Sequence, residues 1–175
     1  IVGTLMLAGG MGGTAYAEQT VGSGLVVAFI AVLPLTIALA NLWFGVMPRR
    51  LESAGIGIGL VGVLMLTQGA GFAASPAGLV AISIACITWS IGSVLSQHNL
   101  KLAPGAMGFA SEMLCGALVL MAISLAAGET PAWPPQPQAL AAWLYLVVFG
   151  SLIAFNAYMV LLASAPAAWA SSYSY

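Results

Sequence analysis

Only seven of 175 side chains are charged, and six of them stand at the ends of long apolar runs or between them. The seventh, Glu112, lies inside a run. That placement limits the folds open to the chain more than any motif does. A water-soluble domain carries about a quarter charged residues, because its exterior must face water. Here 4 % are charged and 62 % are hydrophobic, with a mean hydropathy of +1.09. The surroundings that suit such a surface are mostly lipid, and any charge held at lipid depth demands a reason.

A helix needs about 20 mainly apolar residues to cross a hydrocarbon core of roughly 30 Å. Five complete spans are expected, at 22–47, 52–70, 75–96, 105–127 and 138–162. Residues 1–17 read as the remainder of an earlier span and 166–175 as the start of a later one. The expected fold is therefore an all-α polytopic membrane protein, a bundle of about seven transmembrane helices with two truncated. With Ile1 rather than Met at the start and an apolar pattern at Tyr175, the chain reads as a fragment. Pro34, in the middle of a span, is expected to kink or break its helix.

Arg49 and Arg50 lie in the second break between spans and Lys101 in the fourth. Two helices separate these breaks, so all three basic residues fall on one side, which the positive-inside rule makes cytoplasmic. Glu18 and Glu129 then face the other way.

Several function classes lose their footing. A net charge of −1 leaves no electrostatic footprint for nucleic acid. Cys86 and Cys115 fall within spans and are expected to be buried thiols rather than a disulfide. The run Gly57-Ile58-Gly59-Leu60-Val61-Gly62 matches a dinucleotide fingerprint but lacks the strand before it and the acid about 20 residues beyond it. With Gly55 it reads instead as a small-residue face for close helix packing. No Asp is present, so an intramembrane aspartyl pair cannot form within the chain, and the sole imidazole, His98, sits in the loop beside Lys101. No catalytic, cofactor-binding or metal-ligating set is expected.

The informative residues form a polar layer. Glu112 lies about 10 Å into its span at 1.5 Å per residue, and a charge at mid-helix costs about 2.5–3.5 kcal/mol on insertion scales. It should be neutral, partnered or set against water. Gly108, Ser111, Cys115 and Gly116 share its face, which implies contact with neighbouring helices. Ser83, Cys86, Ser90, Ser93 and Gln97 form another stripe at helical spacing, flanked by Trp89. Asn156 lies at a similar depth in its own span. Trp89, Glu112 and Asn156 together suit a small amphipathic or aromatic solute. Tyr16 and Glu18, at the outer end of the first span, are further pathway candidates. The plainer roles are interhelical hydrogen bonds worth about 0.6 kcal/mol each and, for Trp89, an interface anchor.

A weak repeat ties the two ends together. Ala15-Tyr16 recurs as Ala157-Tyr158, 142 residues later and five helices on. An odd number of crossings inverts the second copy, and inverted repeats are a transporter architecture.

The ordered motifs resemble the EamA-type drug/metabolite transporters. They run from Glu18-Gln19, Ser23-Gly24-Leu25 and Val32-Leu33-Pro34 through Leu51-Glu52-Ser53-Ala54-Gly55-Ile56-Gly57 and Thr88-Trp89-Ser90-Ile91-Gly92-Ser93 to Phe149-Gly150-Ser151. The resemblance implies a ten-helix protein of two inverted five-helix repeats, with residues 1–70 closing the first (helices three to five) and 75–175 opening the second (helices six to nine). It further implies a bacterial inner-membrane secondary transporter, exporting a small metabolite, amino acid or drug-like solute by alternating access. No enzyme activity is expected. Proton coupling through Glu112 is an added expectation, and the rival reading is a non-transporting membrane scaffold.

Overall fold

The computed structural model describes residues 1–48, 50–67, 74–98, 100, 103, 106–130 and 134–170. Arg49 and Lys101, on which the orientation argument partly rests, lie outside this set, as do 171–175. The described chain is helical, and its one extended pairing is an isolated antiparallel bridge between Val21 and Ala74.

Apolar length dictates the helices. An opening helix covers 4–17, and the next runs Ser23–Trp43. A glycine-rich helix occupies Arg50–Thr67, a central helix Pro76–His98, the Glu112 helix Ala106–Ala126 and a long helix Pro137–Ser164. Four of these, Ser23–Trp43, Pro76–His98, Met107–Ala126 and Pro137–Ser164, are long and apolar enough to cross a membrane. A short helix at Ala167–Ala170 comes after them.

Proline acts where the sequence places it. The Ser23–Trp43 helix is interrupted at Ala31 and Val32 and resumes as Leu33–Trp43, with Pro34 in its first turn. There the missing N–H costs nothing, because first-turn donors have no partner within the helix.

Two helices carry a winding that apolar periodicity does not reveal. Thr4–Gly12 in the opening helix and Leu146–Phe155 in the long helix are π-helical, each continuing directly into an α-helical segment. The π winding is rare in proteins and concentrates at functional sites. These two segments begin 142 residues apart, the offset that also relates Ala15-Tyr16 to Ala157-Tyr158.

The central helix is the hub. It packs against the opening helix, against Leu33–Trp43 and against the end of the long helix, while the opening helix also packs on the Glu112 helix. Glycines permit the close approach. A methyl group at Gly10 would lie 2.7 Å from Trp89 Cε3, and one at Gly92 would lie 2.6 Å from Met6 Cγ. One at Gly116 would lie 2.6 Å from Leu7 Cβ. The Gly55 face, expected to be the packing surface, behaves differently: methyl groups at Gly55, Gly57 and Gly62 would meet nothing within 4 Å. A small-residue motif makes close approach sterically possible but does not supply the neighbour.

Contacts at both ends bear on the order of crossings. Val21 and Thr20 meet Ala74 and Ser75 at one end, with Ser75 Oγ donating to Thr20 Oγ1 at 2.7 Å. At the other end Phe44 stacks on His98 with ring centroids 4.9 Å apart, and His98 Nε2 pairs with Asn41 Oδ1 at 3.2 Å. Thr20 and Val21 thus share one end with Ala74 and Ser75, and Asn41 and Phe44 the other end with His98. His98 closes the central helix instead of sitting in the loop after it. Of the two thiols expected to be buried, Cys86 is and Cys115 is exposed on the surface of the chain.

Candidate functional site

Glu112 is 2 % exposed, and neither carboxylate oxygen finds a hydrogen-bond partner among the described residues. Its helix turns it inward. Gly108, Glu112 and Gly116 succeed one another at four-residue spacing and are all buried, while Ser111 and Cys115, expected on the same face, are exposed. Gly116 lets the opening helix come close, with Leu7 against it, and even a methyl group at Gly3 would collide with the backbone of Glu112. A buried polar group without a partner is costly. The fold bears that cost at its one carboxyl group within a span.

Glu112 lines a cavity of about 710 Å³ together with Gln97, His98, Phe109, Asn156 and Met159. The volume is within the range of small-molecule sites. Gln97 closes one wall by donating from Nε2 to the carbonyls of Leu162 at 2.6 Å and Ala165 at 2.8 Å. These carbonyls belong to the end of the long helix, where acceptors run out of intrahelical donors. Asn156 borders the cavity from the start of the α-helical segment Asn156–Ser164 and is itself exposed.

Trp89 stands on the far side of an aromatic cluster. Its ring centroid lies 5.9 Å from Phe155 in an edge-on arrangement and 5.5 Å from Tyr158, while Phe155 lies 5.8 Å from Phe109. Offset and edge-to-face rings at such distances attract beyond simple burial. Phe109 is three residues before Glu112, so the cluster reaches the wall of the larger cavity. Trp89 touches both π segments, through Gly10 in the first and Phe155 in the second.

Beyond Trp89 lies a second cavity of about 310 Å³, lined by Gly10, Thr14, Glu18, Leu33, Cys86 and Trp89. The central helix gives the order: Cys86 and Trp89 border the smaller cavity, Ser93 joins Tyr158 at 3.0 Å, and Gln97 borders the larger one. The eleven helical rises from Cys86 to Gln97 span about 16 Å. The aromatic cluster lies between the two cavities.

The sequence candidates fall into distinct settings. Glu112 and Asn156 share the larger cavity, and Trp89 and Glu18 the smaller. Tyr16 is 54 % exposed and borders neither. Ser90 and Ser93 are buried and turned to structural bonds. Ser90 donates to the Cys86 carbonyl at 2.7 Å and meets Thr36 Oγ1 at 2.6 Å, while Ser93 donates to the Trp89 carbonyl at 2.8 Å. Phe109 and Phe155 escape sequence reasoning. An aromatic residue in an apolar span carries no local mark of a long-range ring contact, although the Trp89 stripe and the repeat at Tyr158 lie beside them.

Residues 76–175 match the family model described as the EamA-like transporter family. The chain belongs to this family. Its full length is also 40 % identical, over 176 aligned positions, to the protein named "Uncharacterized inner membrane transporter YedA" from Escherichia coli K12, and equally to its counterparts in the O6:H1 and O157:H7 strains. The chain spans 57 % of the length of these curated relatives. No solved structure matches it. Membership of a transporter family, together with four membrane-length helices, makes the chain part of a multi-pass membrane protein.

Proposed function

We propose that the protein is a secondary transporter of the bacterial inner membrane that moves a small solute outward by alternating access. The observation that carries the reading is the buried carboxyl group of Glu112, without a hydrogen-bond partner among the described residues, beside a cavity between membrane-length helices. Packing alone gives no reason to retain it. A scaffold would be more stable with an apolar residue there, whereas a transporter needs a group whose partner comes and goes.

The remaining architecture is part of the proposal. Two inverted five-helix repeats would total ten helices, seven of them in this chain, with 1–70 ending the first repeat and 75–175 opening the second. The common 142-residue offset of the π segments and of the Ala-Tyr pairs supports this arrangement. The end that carries Arg50 and His98 faces the cytoplasm, as the basic residues favour. The Escherichia coli relatives, named as an inner membrane transporter, agree in kind.

Glu112 takes part in proton coupling in this scheme, alternating between a proton and a solute contact. The test is substrate flux in proteoliposomes across imposed pH gradients, for the wild type and Glu112→Gln. The gradient should drive flux in the wild type and lose its effect in the variant. Equal gradient dependence in both removes Glu112 from coupling. Loss of flux in Asn156→Ala with the fold intact separates transport from a scaffold role.

A further inference from the structure

We propose that Pro166 and Gln97 form a hinge and clasp at the mouth of the larger cavity. Gln97 is the positioning residue: it holds the end of the long helix in place, and its release widens the mouth. This inference rests on the transporter reading and adds the element that moves.

Proline writes the hinge into the chain. Pro166 has no N–H, so the Leu162 carbonyl four residues earlier loses its helical donor. The residue before a proline is also pushed out of helical backbone, and Ala165 is extended, at φ −133° and ψ 159°. Beyond the break, Trp169 and Ala170 donate their N–H groups to the Pro166 carbonyl, which leaves the Ala165 carbonyl outside the new turn. The break therefore frees two acceptors, at Leu162 and Ala165. A side-chain amide carries two hydrogens on its nitrogen, and Gln97 Nε2 donates to these two oxygens at 2.6 Å and 2.8 Å. One side chain answers one break.

The clasp stands at the cavity wall. Gln97, Ser164, Ala165 and Pro166 all line the larger cavity at its His98 end. Past the break, Ala167–Ala170 packs on Leu33–Trp43, and Ala170 is fully buried. His98, next to Gln97, holds the end of Leu33–Trp43 through Asn41 and the adjoining Phe44. Neighbouring side chains at the end of the central helix thus tie two other elements together across the mouth. A helix interior is held by a ladder of backbone bonds, whereas here a single side chain holds both carbonyls, and such junctions open at low cost. Rotation of Gln97 releases both at once. Pro166 keeps the backbone from closing the gap as a continuous helix, so the junction swings instead of healing.

The test uses the protein encoded by the complete open reading frame that carries this chain, with Cys86 and Cys115 replaced. It carries Met159→Cys in the larger cavity or Thr14→Cys in the smaller, both partly buried positions. A membrane-impermeant maleimide is applied from the face that carries His98 for the first and from the opposite face for the second. Gln97→Leu should speed labelling of Met159→Cys about tenfold, the scale of two lost hydrogen bonds, and should not speed labelling of Thr14→Cys. Gln97→Asn, too short to span both carbonyls, should act in the same direction. Unchanged labelling of Met159→Cys in both variants, or equal acceleration at both positions, overturns the gate. Thermal unfolding in detergent tests the hinge. Gln97→Leu should lower the unfolding temperature less in a Pro166→Ala background, where the new N–H supplies the Leu162 carbonyl. An equal loss in both backgrounds overturns the hinge, as does a Gln97→Leu protein that fails to fold and is not recovered by Pro166→Ala. Neither readout requires flux: a gate that behaves as expected in a protein without carrier-mediated flux refutes transport and leaves the hinge standing.

Discussion

At the residue scale, polar side chains in this chain divide by whether the fold provides their partners. Ser90, Ser93 and Gln97 are satisfied within the bundle, whereas Glu112 finds no partner among the described residues. Gln97 offers a sharp test of the first group, since its amide donates to two carbonyl oxygens at the end of the long helix. Gln97→Leu should cost about 1–2 kcal/mol, and Gln97→Glu should cost more, because a carboxylate would set its oxygens against the same two acceptors. Thermal unfolding in detergent ranks the two variants; a Glu variant as stable as the Leu variant contradicts the assigned bonds. Glu112 is conspicuous in the sequence because a lone carboxyl group in an apolar run has no ordinary explanation. Phe155 and Phe109 are not legible there as neighbours of Trp89. Aromatic residues are common in lipid-facing and core positions alike, and the contacts join three separate helices.

At the element scale, spans are legible from apolar length, and Pro34 correctly marks the interruption between Ile30 and Leu33. Winding and partnership are not. A π segment differs from an α-helix by which carbonyl each N–H meets, and residue type barely changes between the two. The glycines show the same limit: Gly10 is pressed against Trp89, whereas a methyl group at Gly55 would find open space. Gly10→Ala should therefore lower the unfolding temperature clearly, while Gly55→Ala should leave it unchanged or raise it slightly through helix propensity. Strong destabilisation by Gly55→Ala would reveal a helix packed on that face from elsewhere in the assembled protein. The second π segment supports a further expectation. Deleting Val148 should convert the segment towards α winding and rotate the C-terminal part of the helix by about 100° per residue removed, carrying Phe155 away from Trp89. A cross-link made by a short bis-maleimide between Trp89→Cys and Phe155→Cys, in a background lacking Cys86 and Cys115, should disappear on that deletion. Its persistence would show that the π winding does not set the contact.

At the scale of the whole molecule, two cavities occupy opposite sides of an aromatic partition within a chain whose family transports solutes. The fold class and the family are readable because lipid imposes a simple rule on length and charge. The pairing of cavities is not, since it depends on which helices the central one selects as neighbours. The account requires the two cavities to open towards opposite faces of the membrane. Single cysteines at Asn156 and Thr14, in a background with Cys86 and Cys115 replaced, should be treated with a membrane-impermeant maleimide applied from one face at a time. Asn156→Cys should react from the cytoplasmic face and Thr14→Cys from the opposite face, each protected from the other side; labelling of both positions from the same face would contradict a transport path through this partition.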